Sequence, residues 1–258
     1  MQLHLREAQV SIEKQASTTG EHDRVASFYD DVYYKGAEAS ASLSRHLKKL
    51  STRLGISPGQ SVLDIACGAG DWLAVAAASG ADVSGIDISE RAVSICRQRM
   101  PGREFHTGPA EVLPFPGDSY DLVTCLGSLE HFLDQPGALA EMVRVMKPTG
   151  KLVILVPNAG FLTYRLGLYR GTQQQAVRET IRPLSEWQQM FSTSGLIVTE
   201  RWKDLHILSR QWIFRAPWPM MPLRLLQALA LAVWPLQWQY QVYHLCERHV
   251  LPDVGAST

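Results

Sequence analysis

Four short apolar runs alternate with helical stretches between residues 61 and 156, and this alternation constrains the fold more than any other feature of the sequence. A further short strand is expected around Phe105. Continuous apolar strands separated by helices are typical of parallel sheets that are covered on both faces. The sequence therefore predicts an α/β fold of Rossmann-like type with a doubly wound, mostly parallel sheet. The runs are SVLDIA (61–66), ADVSGID (81–87), YDLVTCL (120–126) and KLVILV (151–156), separated by WLAVAAAS, ERAVSICRQRM and ALAEMVRVM.

Helical additions flank this predicted sheet at both ends. The spacing of apolar residues over 25–54 predicts a helical N-terminal addition. Beyond residue 157, PLSEWQQMFSTSG predicts a helix and LIVTERW a strand, and the tryptophan- and proline-rich residues 206–251 contain the apolar helix LRLLQALALAVW. We therefore divide the chain into a mobile leader (1–24), a cofactor-binding domain (25–205) and an apolar C-terminal element (206–258).

Composition excludes several classes of function. The chain has 258 residues, 46% of them apolar, with 25 basic and 25 acidic side chains. It can bury the core of one domain, and without a net basic charge nucleic acid is not an expected partner. Its four cysteines have no C-x-x-C spacing, so we expect reduced thiols and predict no metal site. The first residues, MQLHLREAQVSIEK, lack the apolar stretch of a secretory signal, and we expect a cytoplasmic location.

The turn after the first apolar run is the place to look for a ligand, because open parallel sheets bind ligands at the carboxyl ends of their strands. Gly68 and Gly70 allow the backbone to approach a ligand, and Asp87 can accept hydrogen bonds from ribose hydroxyls. A dinucleotide needs a third glycine where the chain has Leu73, and its pyrophosphate would lie near Asp64. A cofactor with a ribose, a positive charge and no phosphate fits better, and S-adenosylmethionine has these properties.

Six ordered motifs over residues 61–158 support this interpretation. Together they resemble the class I S-adenosylmethionine-dependent methyltransferases, specifically the methyltransferase type 11 subgroup, which includes the quinone-pathway O-methyltransferases. The sequence departs from the family pattern twice: Ala66 replaces the first glycine of the cofactor loop, and Pro109 replaces an acid that often binds the adenine amino group. The motifs are DIACGAG (64–70), GIDIS (85–89), AEVLPF (110–115), DSYDLV (118–123), SLEHF (128–132) and VMKPTGKL (145–152).

The resemblance implies where each part of the cofactor binds. The methionine end is expected at the glycine turn, the ribose and adenine at the end of the second strand, and the sulfonium above the end of the YDLVTCL strand. The implied residues are Asp64, Ala66, Cys67, Gly68 and Gly70 for the methionine end, Asp87 and Ile88 for the ribose and adenine, Ala110 and Glu111 for the adenine edge, and Leu126 and Gly127 beneath the sulfonium.

Glu130 and His131 are the candidate catalytic residues. His131 follows the YDLVTCL strand, near where the transferred methyl group should point, and its imidazole can take a proton from a substrate hydroxyl. Alternatively, both residues cap and brace the helix that follows. Cys67 lies in the cofactor loop, but we interpret it as a packing residue because methyl transfer needs no covalent enzyme intermediate.

Two regions allow more than one interpretation. Tyr29, Tyr33 and Tyr34 either form a lid over the cofactor or pack as one face of a helix on the sheet. The apolar stretch between Pro222 and Pro235 has only 12 residues, including Arg224, and we do not expect it to span a membrane. The C-terminal element either lies at a membrane surface, with its tryptophans and arginines among the headgroups, or forms a buried cap or homodimer interface. Both interpretations point to a hydrophobic or lipid-linked acceptor.

The expected function is S-adenosylmethionine-dependent methylation of a small, hydrophobic or lipid-linked acceptor, with O-methylation favoured. C-methylation of a prenylated ring is the alternative and would not depend on His131. A non-catalytic protein that retains the fold and binds the cofactor is a further alternative. An oxidoreductase is disfavoured by Leu73 and Asp64.

Overall fold

A seven-stranded sheet organises the chain in the computed structural model, which describes residues 19–37, 43–165, 167, 179–205 and 218–249. The strand order is β3-β2-β1-β4-β5-β7-β6. Pairing is parallel from β3 through β5, and β7 is antiparallel to both of its neighbours. The predicted doubly wound, mostly parallel sheet is confirmed. The strands are β1 (Ser61–Ile65), β2 (Asp82–Asp87), β3 (Glu104–Thr107), β4 (Tyr120–Leu126), β5 (Met146–Pro157), β6 (Leu196–Lys203) and β7 (Gln241–Arg248).

The helices lie between the strands, where the apolar periodicity predicted them. An N-terminal helical segment runs over residues 19–28 and continues into the π-helical turn Tyr29–Tyr33. The predicted helical stretch 25–54 is therefore divided, because Gly36 adopts a left-handed backbone with φ +71° before α1 begins. The helices are α1 (Arg45–Leu54), α2 (Asp71–Ala78), α3 (Glu90–Arg99), α4 (Gln135–Val145), α5 (Leu184–Thr193) and α6 (Met221–Val233), with shorter turns at Leu129–His131, Leu162–Arg165, Trp218–Met220 and Leu236–Trp238.

Side-chain caps set the ends of several helices. The Ser89 hydroxyl oxygen accepts a hydrogen bond from the Ala92 N–H at 3.1 Å, so α3 begins directly after the end of β2. Asp134 caps α4 in the same way through the Gly137 N–H at 3.0 Å. Such caps supply partners for N–H groups that the helix itself leaves unpaired. They fix the helix starts at the edge of the sheet where the strands end.

Two apolar cores cover the two faces of the sheet. Val62 packs on one side of β1 with Leu73 of α2 and other side chains of α1 and α3, whereas Leu63 packs on the other side. The second core contains Leu139 of α4 and the fully buried Trp187 of α5. Successive strand residues point to opposite faces, so strands that are apolar on both sides lie between helices on both sides.

β7 belongs to the predicted C-terminal element 206–258, and it lies inside the sheet between β5 and β6. Its sequence QVYHLCER contains polar residues that obscure a strand pattern, although His244 is fully buried. Burial, and secondarily the Arg201 charge, lowers the pKa of His244 to about 4, so the imidazole is neutral in the core. Residues 19–24, predicted as part of a mobile leader, are helical, and 1–18 lie outside the described residues.

Candidate functional site

A cavity of about 420 Å³ opens at the carboxyl ends of β1, β2 and β4. The strand order reverses between β1 and β4, which makes this the topological switch point where such sheets bind ligands. The cavity brings together nearly all of the sequence-predicted cofactor residues and one of the two catalytic candidates. Those on its wall are Asp64, Ala66, Cys67, Gly68, Asp87, Ile88, Ala110, Glu111, Leu126, Gly127 and His131, whereas Gly70 and Glu130 are not among its lining residues.

Asp64 is the buried acid that ends the first apolar run. Its side chain is almost fully enclosed, and its Oδ1 accepts a hydrogen bond from the Thr124 hydroxyl at 2.6 Å. Burial raises the pKa of Asp64 to about 7, against the lowering effect of the Thr124 hydrogen bond, and the nearby Asp87 charge raises it further. No cation among the described residues forms an ion pair with Asp64. A cationic ligand in the cavity would supply the missing charge.

Asp87 ends β2 and is also buried. Its Oδ2 accepts a hydrogen bond from the Gly68 N–H at 2.8 Å, and its Oδ1 accepts one from the Ser89 N–H at 2.9 Å. Burial raises the pKa of Asp87, although these backbone hydrogen bonds favour its ionised form. Each carboxylate oxygen has a second lone pair. The backbone therefore fixes the carboxylate at the cavity wall while leaving it able to accept hydrogen bonds from a pair of hydroxyls.

The turn that carries Ala66 and Gly68 requires a left-handed backbone at both residues. Gly68 has φ +52°, and a Cβ atom there would lie 2.7 Å from the Tyr34 hydroxyl oxygen. Ala66, which stands where the family has glycine, adopts φ +58°. This conformation costs a non-glycine residue roughly 1–2 kcal/mol. The turn thus retains the shape of a glycine loop in spite of the alanine.

Gly70 lies outside the cavity lining and next to α3. A Cβ atom at this position would lie 2.8 Å from the Cys96 sulfur and 2.9 Å from Met100 Cε, so the glycine allows α3 to pack against the turn. Cys67 is buried at the cavity wall. Its contact with the Cys96 thiol and its burial raise the pKa of Cys67 well above the ordinary value. An inert, protonated thiol agrees with the interpretation of Cys67 as a packing residue.

The N-terminal helical segment lies along the cavity and contributes Tyr29, Tyr33 and Tyr34 to its wall. Burial raises the pKa of both Tyr29 and Tyr34, and the Asp87 charge adds to this effect. The segment is attached to α3 through Asp30, whose carboxylate accepts hydrogen bonds from the Ser89 hydroxyl and, at 3.2 Å, from the Arg91 N–H. The tyrosines therefore face the cavity, an arrangement that fits a cover over it.

Glu111 lines the cavity and connects it to two other parts of the chain. Its Oε1 accepts a hydrogen bond from the Asp134 N–H at 3.2 Å, and its Oε2 is 3.4 Å from His22 Nε2. His22 belongs to the N-terminal helical segment, so this pair joins the segment to the predicted adenine edge. Neither His22 nor Asp30 could be identified from the sequence, because their contacts depend on how the N-terminal segment folds back over the sheet.

The two catalytic candidates occupy different environments in the turn Leu129–His131. His131 lines the cavity next to Phe132 and Leu133, which makes this part of the wall apolar. The Glu130 side chain is buried, and its Oε2 has no hydrogen-bond partner among the described residues. Burial, and secondarily the Glu179 charge, raises the pKa of Glu130 to about 8. At neutral pH Glu130 is therefore mainly an uncharged acid outside the cavity wall, whereas His131 can contact a ligand.

The fold and the cavity together define a Rossmann-like protein that is built to hold a ribose-bearing, positively charged ligand at its switch point. The family model "Methyltransferase domain" matches residues 63–154. The demethylmenaquinone methyltransferase of Renibacterium salmoninarum is 32% identical over 211 residues, which cover 79% of this chain and 87% of the relative. That of Geobacillus stearothermophilus is 34% identical over 146 residues, covering 52% of this chain and 62% of the relative.

Solved structures show the same fold. The S-adenosylmethionine-dependent methyltransferase from Mesorhizobium loti superposes with a TM-score of 0.59 at 17% identity, covering 80% of this chain and 100% of that one. A Haloferax volcanii methyltransferase, solved in complex with the Trm112 activator, also gives 0.59, at 21% identity and with 79% and 90% coverage. The chain belongs to the class I S-adenosylmethionine-dependent methyltransferases, in the subgroup that contains these demethylmenaquinone methyltransferase relatives, and it is an enzyme of that class.

Proposed function

We propose that this methyltransferase transfers the methyl group of S-adenosylmethionine to a hydrophobic, lipid-linked aromatic ring. The observation that carries the proposal is a cavity that joins two buried acids, Asp64 and Asp87, to an apolar wall containing His131. The acids suit a cation and a ribose, and the apolar wall suits a ring. When bound, the cofactor supplies a methyl group on a positively charged sulfur, which is already a good leaving group.

The residues present fit this cofactor. The Asp64 carboxyl, whose pKa is raised to about 7, would ionise beside a positive charge. Asp87 would accept hydrogen bonds from the ribose hydroxyls with the lone pairs that Gly68 and Ser89 leave available. The bare backbone of Gly68 leaves room for a ligand at the turn. The remaining wall of the cofactor site would be formed by Ala66, Cys67, Ile88, Ala110, Glu111, Leu126 and Gly127.

His131 would hold the proton of an acceptor hydroxyl. A neutral imidazole within reach of a ring hydroxyl can take its proton and so generate an electron-rich oxyanion. The tyrosines of the N-terminal helical segment would exclude water from this part of the cavity, and Phe132 and Leu133 would pack against the ring. Most of the remaining rate enhancement then comes from alignment, since holding two reactants in position removes much of the entropic barrier.

The acceptor atom follows from the chemistry of such a ring. O-methylation of a ring hydroxyl requires removal of its proton, which His131 can take, whereas a ring that is already ionised can be methylated on carbon without dependence on His131. We favour the oxygen, because His131 lies at the cavity wall. The ring carbon is the second candidate, because relatives are named demethylmenaquinone methyltransferases and a quinone ring also offers carbon as a methyl acceptor.

The test combines binding and turnover. Calorimetry should give micromolar binding of S-adenosylmethionine that Asp87→Asn weakens strongly. A short-chain prenylated hydroquinone deuterated on its ring would then serve as acceptor, since C-methylation removes one deuterium and O-methylation retains all of them. We expect His131→Asn to lower turnover by roughly 10²–10⁴-fold with unchanged cofactor affinity. His106→Asn, on β3 and outside the cavity lining, is the matched control.

Two results would contradict the proposal. If the folded protein does not bind S-adenosylmethionine, the acidic cavity has another ligand. If it binds the cofactor but methylates none of the ring acceptors, the non-catalytic alternative gains support. Full turnover by His131→Asn would leave the methyltransferase assignment in place and reduce His131 to bracing the turn.

A further inference from the structure

The helix α6 presents apolar side chains to solvent. They lie within an arc of about 100° of the helix, since consecutive residues are about 100° apart. We call these residues, Leu225, Leu226, Leu229 and Val233, the α6 stripe. A contiguous exposed apolar surface of this kind marks an interaction site more often than scattered exposed leucines do. The α6 stripe consists of Leu225, Leu226, Leu229 and Val233, which are 50, 64, 58 and 79% exposed.

Basic side chains lie next to α6 and the turn that follows it. The Lys203 ammonium donates a hydrogen bond to the Ala232 carbonyl at 3.0 Å, and Arg165 lies with Trp238 in the wall of a groove beside the turn. Two tryptophans follow the helix, Trp234 and Trp238, whose rings meet edge to face at 6.4 Å. An apolar helix face with basic residues and tryptophans nearby is typical of helices that lie in the headgroup region of a bilayer. Anionic lipids would complement the positive charge.

A second copy of the chain fits the α6 stripe less well. A helix of 13 residues is about 20 Å long and about 10 Å wide, so its exposed face covers roughly 200 Å². Each partner in a stable dimer buries roughly 800 Å². A bilayer needs no matching area from a partner and accepts the same residues.

The α6 stripe is joined to the edge of the sheet at which the cavity opens. The Asn158 side chain, directly after β5, donates hydrogen bonds to the carbonyls of Gln237 at 2.9 Å and Gln239 at 3.1 Å, in the turn that follows α6. At the same edge Gly127, which lines the cavity, donates its N–H to the Leu155 carbonyl at 2.9 Å. An open groove of about 410 Å³ lies beside this turn, with Arg165 and Trp238 in its wall.

We propose that the α6 stripe docks on the surface of a bilayer that contains anionic lipids. Docking there would place the carboxyl edge of the sheet, and with it the cavity, close to the lipid phase. No described helix is long and apolar enough to cross a membrane, and this contact requires only a helix that lies in the interface. The inference rests on the proposed function in one respect: a lipid-linked acceptor would explain why the protein docks on a bilayer.

The experiment measures co-sedimentation of the full chain with vesicles of phosphatidylcholine, with and without phosphatidylglycerol, in the absence of cofactor and acceptor. We expect binding that is stronger on the anionic vesicles and falls as salt increases. The double variant Leu226→Ser/Leu229→Ser should weaken binding by roughly tenfold or more, because it removes two exposed leucines from the contact. Ile197→Ser, at an exposed apolar residue of β6, is the matched control and should bind like the wild type.

Several outcomes would overturn the docking proposal. Wild-type protein that ignores both kinds of vesicle would do so, and so would a dimer in light scattering that the double variant dissociates. Equal binding to neutral and anionic vesicles would overturn the assignment to anionic lipids. Cofactor binding by calorimetry shows that each variant is folded. A protein that methylates a short-chain acceptor but does not bind vesicles would refute docking while leaving the proposed function intact.

Discussion

Replacing Asp64 by asparagine should make the protein without cofactor more stable and at the same time abolish cofactor binding. Asparagine has nearly the same shape, and its side-chain oxygen can accept the same hydrogen bond from the Thr124 hydroxyl. It has no charge to bury. The variant therefore measures the free-energy cost of burying an unpaired carboxylate while leaving the packing of β1 unchanged.

The magnitude follows from the pKa of Asp64, which burial raises from 3.8 to about 7. Between these two values the folded state binds more protons than the unfolded state, so the free energy of unfolding falls as the pH rises. Each pKa unit corresponds to 1.36 kcal/mol. The wild type should therefore lose up to about 4 kcal/mol between pH 4 and pH 8 through this residue, and Asp64→Asn should not.

Urea unfolding of both proteins at pH 5 and pH 8 measures this difference, because the contributions of other titrating groups cancel between variant and wild type. Asp23→Asn, which removes an exposed carboxylate of the N-terminal helical segment, is the control for the loss of a charge alone. Calorimetry of S-adenosylmethionine binding at pH 6 in two buffers should also show release of close to one proton by the wild type. A stability difference that does not change with pH, or binding without proton release, would refute the reasoning.

Three other substitutions test particular contacts. Gly68→Ala should lower the free energy of unfolding by about 1–2 kcal/mol, because residue 68 has a left-handed backbone, and should displace Tyr34. Adding Tyr34→Phe should restore part of the loss, and a double-mutant cycle measures the coupling between the two positions. Trp187→Phe should cost about 1–3 kcal/mol in urea unfolding, because the Pro157 carbonyl loses its indole partner, whereas Trp238→Phe on the surface should cost under about 0.5 kcal/mol. Burial lowers the pKa of His244 from 6.5 to about 4, so the stability that the neutral imidazole contributes is present above pH 6.5 and is lost as the pH falls towards 4. His244→Gln should reduce this loss of unfolding free energy at acid pH by up to about 3 kcal/mol. Equal midpoints of acid unfolding for variant and wild type would count against this prediction.

The parallel half of the sheet could be predicted because its strands are apolar on both faces. Such runs differ from amphipathic helices in length and period, so β1, β2, β4 and β5 were found within a few residues. β7 was not, because a buried neutral His244 and the charged residues of QVYHLCER have no apolar signature. Its place depends on pairing with β5 and β6, which are distant in sequence, and local pattern carries no information about such pairing.

The candidate site could be predicted where it lies at the ends of strands. Asp64 is the second-to-last residue of β1 and Asp87 is the last residue of β2, so the topology alone brings them together at the cavity. The glycine turn was found, but the pattern could not distinguish Gly68, which lies at the cavity, from Gly70, which accommodates Cys96. Likewise, adjacent residues of one turn point in different directions, so the sequence could not show that His131 lines the cavity while Glu130 is buried elsewhere.

The position of β7 also has a consequence for the order in which the chain is made. β6 leaves the ribosome before β7, yet in the finished sheet β7 separates it from β5. Until residues 241–248 have been synthesised, β5 therefore has an open edge and β6 has no neighbour in the sheet. Unpaired strand edges favour aggregation. A nascent chain of this protein consequently depends on β7, and a premature stop between residues 204 and 240 would leave both edges exposed.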